Sequence, residues 1–231
     1  MKVCLITGAS RGIGRAIAEE LTRADWRLSL AARSREALIE VVRETDCEHL
    51  ATQCDVTQEA NVIKTVEETV AQLGRLDAVV CAAGVGSFGP TTAVSLDNWN
   101  AQIAANLTGT FLVCREALKV MLPKKQGHLV NILSVASRHP FPFAAGYVAS
   151  KWGAYGLTRS LAEEVRRDGI RVTAVLPGSV DTPFWDANPG GPPREEMLSP
   201  EAVAQAVRYA LEAPANASVD EILLMPPKGI L

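Results

Sequence analysis

The chain has 231 residues, 48% hydrophobic and 21% charged, enough apolar material for a core of ordinary globular size. Twenty-three Lys plus Arg stand against twenty-six Asp plus Glu, and a net charge of −3 spread along the sequence excludes an electrostatic footprint for nucleic acid. The first apolar run, Val3 to Ile6, is too short for a signal-peptide core, and no stretch reaches the roughly 18 apolar residues of a spanning helix, so a cytoplasmic protein without a membrane partner is expected.

In chain order, short β-branched or apolar runs alternate with segments of helical period. The predicted strands are 2–7, 27–32, 49–54, 76–82, 128–134, 170–176 and 219–225. Between them Ile13, Ile17 and Leu21, then Val62, Val66 and Val70, recur every four residues and mark amphipathic helices. Strands joined this way need right-handed crossovers, which predicts an α/β fold: a doubly wound, parallel, seven-stranded sheet with helices on both faces. Neither an internal repeat nor a Ser/Gly linker divides the chain, so residues 1–231 are expected to form a single Rossmann-fold domain. The Pro- and Gly-rich stretch 177–199 follows a strand end, where ligands of such sheets bind, and is a candidate substrate lid.

Directly after the first strand comes Thr7-Gly8-Ala9-Ser10-Arg11-Gly12-Ile13-Gly14, leading into a helical run. Glycines there allow a tight turn and close approach of the backbone to a pyrophosphate, while the helix N-terminus favours negative charge. Gly8, Ser10, Arg11, Gly12, Ile13 and Gly14 are the candidate cradle; a purely structural turn is the alternative. An acid at the end of the second strand would bond the ribose of NAD, but Arg33 stands there in Ala32-Arg33-Ser34-Arg35. Arg33, with Arg11 facing it, offers a permanent charge to a 2′-phosphate and points to NADP(H); the alternative is that both are solvated surface charges.

Further on, Asn106-Leu107-Thr108-Gly109 opens a helical stretch, and Ser134 ends a strand at the sheet's carboxyl edge. Tyr147 and Lys151 in Tyr147-Val148-Ala149-Ser150-Lys151 are four apart, one helical turn and about 6 Å along an axis. Lowering a phenol from pKa ~10 to ~7 takes ~4 kcal/mol, and one positive charge at ~4 Å in an effective dielectric of ~20 supplies that much. The expectation is a phenol made acidic by its neighbouring amine, with Ser134 beside it.

The glycine segment, Asp55-Val56, Ala82-Ala83-Gly84, Asn106, Ser134, Tyr147 with Lys151, and Pro177-Gly178 with Val180 and Thr182 together resemble the short-chain dehydrogenase/reductase family over essentially the whole chain. The resemblance implies an NADP(H)-dependent enzyme interconverting CH–OH and C=O groups. By it, Asp55 and Val56 would contact adenine, and Ala83 and Gly84 would lie against the cofactor, as would Pro177, Gly178 and Val180. Thr182 would meet the carboxamide, Lys151 would also hold the ribose, and Asn106 would position a water near Lys151. Tyr147 would be the general acid/base. One departure is Cys81, where the family usually has Asn. The C-terminal third resembles the branch of 3-hydroxy acid dehydrogenases and broad carbonyl reductases more than the ketoacyl-carrier-protein reductases. A catalytically silent NADP(H)-sensing regulator is the competing class.

The expected partner is a small-molecule carbonyl or alcohol. Val135, His139, Phe141, Phe184 and Trp185 flank the site in sequence and are candidate substrate contacts, each with structural packing as the alternative. Arg138 is either a solvated surface charge or an attractor for a substrate carboxylate. Stretches 107–121 and 152–165 are apolar beyond one stripe, as expected of a homodimer or homotetramer. The cysteines, Cys4, Cys47, Cys54, Cys81 and Cys114, contain no C-x-x-C pair, and His49 and His128 have no helical pairing, so buried thiols and no metal site are expected.

Overall fold

A computed structural model describes residues 1–45, 48–188 and 190–230; Cys47 and Pro189 lie outside them. The strands are β1 (Val3–Thr7), β2 (Arg27–Ala32), β3 (Leu50–Gln53), β4 (Ala78–Cys81), β5 (Gly127–Ile132), β6 (Ile170–Pro177) and β7 (Glu221–Leu224). All neighbours pair in parallel, in the order β3-β2-β1-β4-β5-β6-β7. The order reverses between β1 and β4, which opens a crevice above their carboxyl ends.

The helices are α1 (Gly12–Arg23), α2 (Arg35–Thr45), α3 (Glu59–Leu73), α4 (Leu96–Ile103), α5 (Gly109–Met121), α6 (Ala145–Val165) and α7 (Pro200–Glu212). Ile17 and Leu21 of α1, Leu38 of α2 and Val207 of α7 cover one face of the sheet. Val62 and Val66 of α3, Leu112 of α5 and Val165 of α6 cover the other. Because both faces are covered, β1 is buried at every position: Cys4 and Ile6 join the first layer, and Leu5 joins the second.

Two predicted details differ. Asn106 does not open a helix. It sits in a π turn, Ala104–Thr108, between α4 and α5, where one extra residue per turn widens the helix without ending it. The strand before Ser134 stops at Ile132, and Ser134 caps the short 3₁₀ turn Val135–Ser137 by accepting from the Ala136 N–H at 3.1 Å.

Both predicted strand-start histidines are structural. His49 Nδ1 accepts from the Leu28 N–H and its Nε2 lies 2.8 Å from Thr22 Oγ1. His128 Nε2 lies 2.7 Å from Thr173 Oγ1, deep in the sheet. Cys4, Cys54, Cys81 and Cys114 are buried free thiols. Cys81 is pushed well above the ordinary thiol range by the adjoining Cys114 thiol and by burial, which leaves it unreactive. Cys114 in turn donates to Asn131 Oδ1 at 3.5 Å.

Candidate active site

A cleft of about 1210 Å³ runs over the carboxyl ends of the strands. That exceeds the roughly 300–1,000 Å³ of a site for one drug-sized ligand, so it has room for two molecules side by side. Gly8, Ser10, Arg11, Gly12, Ile13, Gly14, Arg33, Asp55, Val56, Ala83, Gly84, Pro177, Gly178, Val180 and Thr182 all line it. So do Ser134, Val135, Phe141, Tyr147, Lys151, Phe184 and Trp185. Two candidates do not. Asn106 is buried behind the wall, and His139 is exposed outside, with its ring edge-on to Phe141 at 5.4 Å between centroids.

The glycine turn is shaped by contact as well as by conformation. Gly8 has φ +70°, and a Cβ there would lie 2.7 Å from the Ala83 backbone, so the β1 loop touches the β4 loop directly. A Cβ on Gly14 would lie 2.3 Å from the Gly8 carbonyl oxygen, so α1 can start this close to the turn only with glycine. No side chain caps α1 and its first turn holds no acidic residue, which leaves its N–H groups and dipole facing the cleft. At the end of β2 the Arg33 side chain is exposed, and the Arg33 carbonyl accepts from Gln53 Nε2 at 3.0 Å. Asp55 folds back on its own loop, accepting from the Thr57 N–H and hydroxyl at 3.0 and 2.8 Å.

At the other end, Tyr147 and Lys151 share one face of α6. Lys151 Nζ lies 5.7 Å from the centre of the Tyr147 ring and donates to the Ile132 carbonyl at 3.1 Å. This geometry reverses the expected electrostatics. Burial raises the Tyr147 pKa above the ordinary phenol value, with Ser134 beside it pulling the other way. Burial also lowers Lys151 to about 8. The predicted balance assumed an ammonium ~4 Å from the phenol oxygen in a moderate dielectric; here Lys151 Nζ stands 5.7 Å from the ring centre and is itself buried, so desolvation sets the direction of both shifts.

The Asn106 side-chain amide is fixed by the Val85 loop and by α6. Its Oδ1 accepts from the Val85 N–H at 2.8 Å, and its Nδ2 donates to the Val85 carbonyl at 2.8 Å and to Ser150 Oγ at 2.9 Å. Arg138 is equally committed, lying 2.8 Å from Glu221 Oε2 and donating to Tyr155 Oη at 2.7 Å, so it is neither freely solvated nor aimed at the cleft. Phe88 and Phe143 line the cleft and escaped the residue-level prediction. Phe88 lies in the Gly86-to-Pro90 loop, while Phe143 sits at the mouth with φ +62° and no sequence pattern to mark it. Among the described residues no group of three or more His, Cys, Asp or Glu is placed to hold a metal, and no helix is long and apolar enough to cross a membrane.

A family profile described as short chain dehydrogenase matches residues 2–190. The chain belongs to the short-chain dehydrogenase/reductase family. This oxidoreductase is 32% identical over 225 residues to an uncharacterized oxidoreductase of Staphylococcus epidermidis, covering 97% of each chain. It is 36% identical over 224 residues to a 3-oxoacyl-[acyl-carrier-protein] reductase of Bos taurus, covering 92% of each. Among solved structures, an alcohol dehydrogenase from Thermococcus sibiricus complexed with 5-hydroxy-NADP superposes with a TM-score of 0.90 at 33% identity, over 98% of this chain and 97% of that one. The short-chain dehydrogenase described here is accordingly an enzyme acting on CH–OH or C=O groups.

Proposed function

We propose that this enzyme interconverts a carbonyl and a secondary alcohol with NADP(H), as a broad carbonyl reductase or a 3-hydroxy acid dehydrogenase. The observation that carries the reading is one continuous cleft with the glycine turn and Arg33 at one end and Ser134, Tyr147 and Lys151 at the other.

The residues present fit NADP(H). Gly8 and Gly14 leave no Cβ between the turn and its neighbours, the uncapped α1 N-terminus suits a pyrophosphate, and Arg33 with Arg11 suits a 2′-phosphate. Asp55 and Val56 would flank the adenine; Ala83, Gly84, Pro177, Gly178, Val180 and Thr182 would line the path to the nicotinamide. The structural neighbour complexed with 5-hydroxy-NADP supports the same choice. When bound, NADP(H) supplies or accepts the hydride.

The chain's own residues handle the proton. The Ser134 hydroxyl holds the substrate oxygen, and the Tyr147 phenol, kept protonated by burial, gives its proton to that oxygen in reduction and takes it back in oxidation. Lys151 stabilises the phenolate left behind and holds the ribose. Asn106 acts as a positioning residue, tying the Val85 loop to α6. The 177–199 stretch closes over the substrate as a lid. Half-exposed Phe111 on α5 and Trp152 on α6 favour pairing of these helices with a second copy in a homodimer or homotetramer. The four buried free thiols suit the cytoplasm.

The test is NADPH consumption with a panel of diketones, aldehydes and 3-oxo esters, run in parallel on Tyr147→Phe. Turnover by the parent and its loss by about 10²-fold or more in the variant, with NADPH binding retained, is the expected result. Tight NADPH binding with no turnover of any carbonyl would favour a sensor instead.

A further inference from the structure

Four aromatic rings close over the substrate side of the cleft. The Phe88 centroid lies 5.6 Å from Tyr147, 6.1 Å from Phe184 and 6.0 Å from Trp185, and Tyr147 lies 5.9 Å from Phe184. Phe88 and Trp185 are nearly parallel at 11°, while the other contacts are edge-on or tilted, so ring faces and edges alternate around the phenol. Two glycines let the rings settle. A Cβ on Gly86 would lie 2.3 Å from Phe184 Cζ, and one on Gly191 would lie 2.4 Å from Trp185 Cε3.

The charges are elsewhere. The charged side chains among the described residues of the lining are Arg11, Arg33, Asp55 and Lys151. The first three follow β1, β2 and β3; at ~4.8 Å per strand Arg11 stands two strands from β5, about 10 Å, and Arg33 three, about 14 Å. Lys151 is buried beneath Tyr147 and bonded to the Ile132 carbonyl. Two arginines on segments flanking the mouth are neutralised in place: Arg138 by Glu221, and Arg194 by Asp181 and Asp186, both at 2.6 Å. A carboxylate entering here would shed its water among the negative faces of aromatic rings with no cation to receive it.

We propose that the ring cluster of Phe88, Tyr147, Phe184 and Trp185 selects uncharged aryl ketones and rejects carboxylates. This rests on the carbonyl-reduction reading and narrows it to one substrate class. The ketone carbon gains the hydride and its oxygen the Tyr147 proton, giving a neutral aryl carbinol while NADPH is oxidised to NADP⁺.

Four probes separate ring from charge: ethyl phenylglyoxylate, phenylglyoxylate, ethyl pyruvate and pyruvate. Each is assayed for kcat/KM with NADPH and titrated calorimetrically into the protein with NADP⁺, so that recognition is read apart from the greater intrinsic reactivity of esters. The expected result is about 100-fold preference for the aryl ester over the aryl acid, and about tenfold or more over ethyl pyruvate, in binding and in kcat/KM. Phe88→Lys, at a half-exposed loop position, is expected to move the ester-to-acid ratio about tenfold toward phenylglyoxylate. Phenylglyoxylate bound and reduced within about threefold of its ester would overturn the proposal, as would preference for the pyruvate pair. If no probe is reduced, the aryl-ketone proposal fails as a statement of turnover while the carbonyl-reduction reading stands or falls on the panel of diketones, aldehydes and 3-oxo esters, and the isotherms decide whether the rings prefer neutral aryl groups by the same ratios.

Discussion

Asn106 Nδ2 donates to Ser150 Oγ at 2.9 Å, and Ser150 Oγ donates on to the Tyr147 carbonyl at 2.7 Å. The π turn between α4 and α5 is thereby tied to the first two turns of α6, the segment that carries both Tyr147 and Lys151. The same amide holds Val85 from both sides. A polar residue in this widened turn therefore sets the height of the phenol above the sheet.

Asn106→Ala removes three hydrogen bonds of a buried side chain and leaves the half-buried Val85 amide and carbonyl short of partners. The expected loss is about 3 kcal/mol, or a fall in Tm of about 6–12 °C for a chain of this size. Ser150→Ala, which removes one of those bonds, is expected to cost about 1 kcal/mol. Scanning calorimetry of both variants checks this; Asn106→Ala melting within about 1 °C of the parent would show that the amide bears no load.

Arg33 is the exposed cation at the end of β2 and lines the cleft. Arg33→Asp removes the partner of a 2′-phosphate and substitutes a repelling charge that suits a ribose hydroxyl. A charge-assisted bond of about 1.5–3 kcal/mol converts to an NADPH affinity about 10- to 100-fold weaker, with NADH bound more tightly than by the parent. Fluorescence titration of both reduced dinucleotides reads the change directly, and an unaltered NADPH-to-NADH ratio would return Arg33 to the solvated surface.

What could be read in advance followed from how each feature is encoded. The β1 and β6 runs of Val, Ile and Leu are buried on both faces, so their hydropathy located them to within a residue. Tyr147 and Lys151 share a face because they are one helical turn apart, which is local geometry. The π turn at Asn106 left no trace, since one inserted residue shifts helical phase without altering hydropathy. The ring cluster unites Phe88 with Trp185, and the Arg138 ion pair needs Glu221 on β7. Both are products of the assembled sheet, and neither loop carries a periodicity. The electrostatics of Tyr147 went the other way from expectation because a pairwise charge estimate omits burial of the partners themselves.

The pH profile follows from those two directions. Burial keeps the Tyr147 phenol protonated through neutral pH, so it is available as a proton donor there. Lys151, lowered to about 8, loses the charge that stabilises the phenolate as pH rises through that value. Reduction is therefore expected to hold level below pH ~8 and decline above it, while oxidation, which needs the phenolate, climbs toward alkaline pH. Steady-state rates in both directions across this range test the assignment, with Lys151→Met as the control expected to lack the limb near pH 8. A reduction rate that stays level well above pH 8 would separate Lys151 from the proton step.

His128 makes stability depend on acid. Its Nε2 lies against Thr173 while its Nδ1 is buried without a partner, and burial, aided by the charges of Arg171 and Lys2, lowers its pKa to about 3. In the unfolded chain the imidazole titrates near ~6.5. Above that value neither state binds the proton; as pH falls below it the unfolded chain does and the native chain does not, until the native pKa is reached. Stability is thus expected to decline from pH ~6.5 toward ~3, by up to about 5 kcal/mol at ~1.4 kcal/mol per unit. His128→Gln keeps an amide for Thr173 but cannot titrate. Urea unfolding at successive pH values should show the variant weaker than the parent at neutral pH and gaining on it steadily as acid is added. Parallel curves down to pH ~4 would assign the acid limb to other groups.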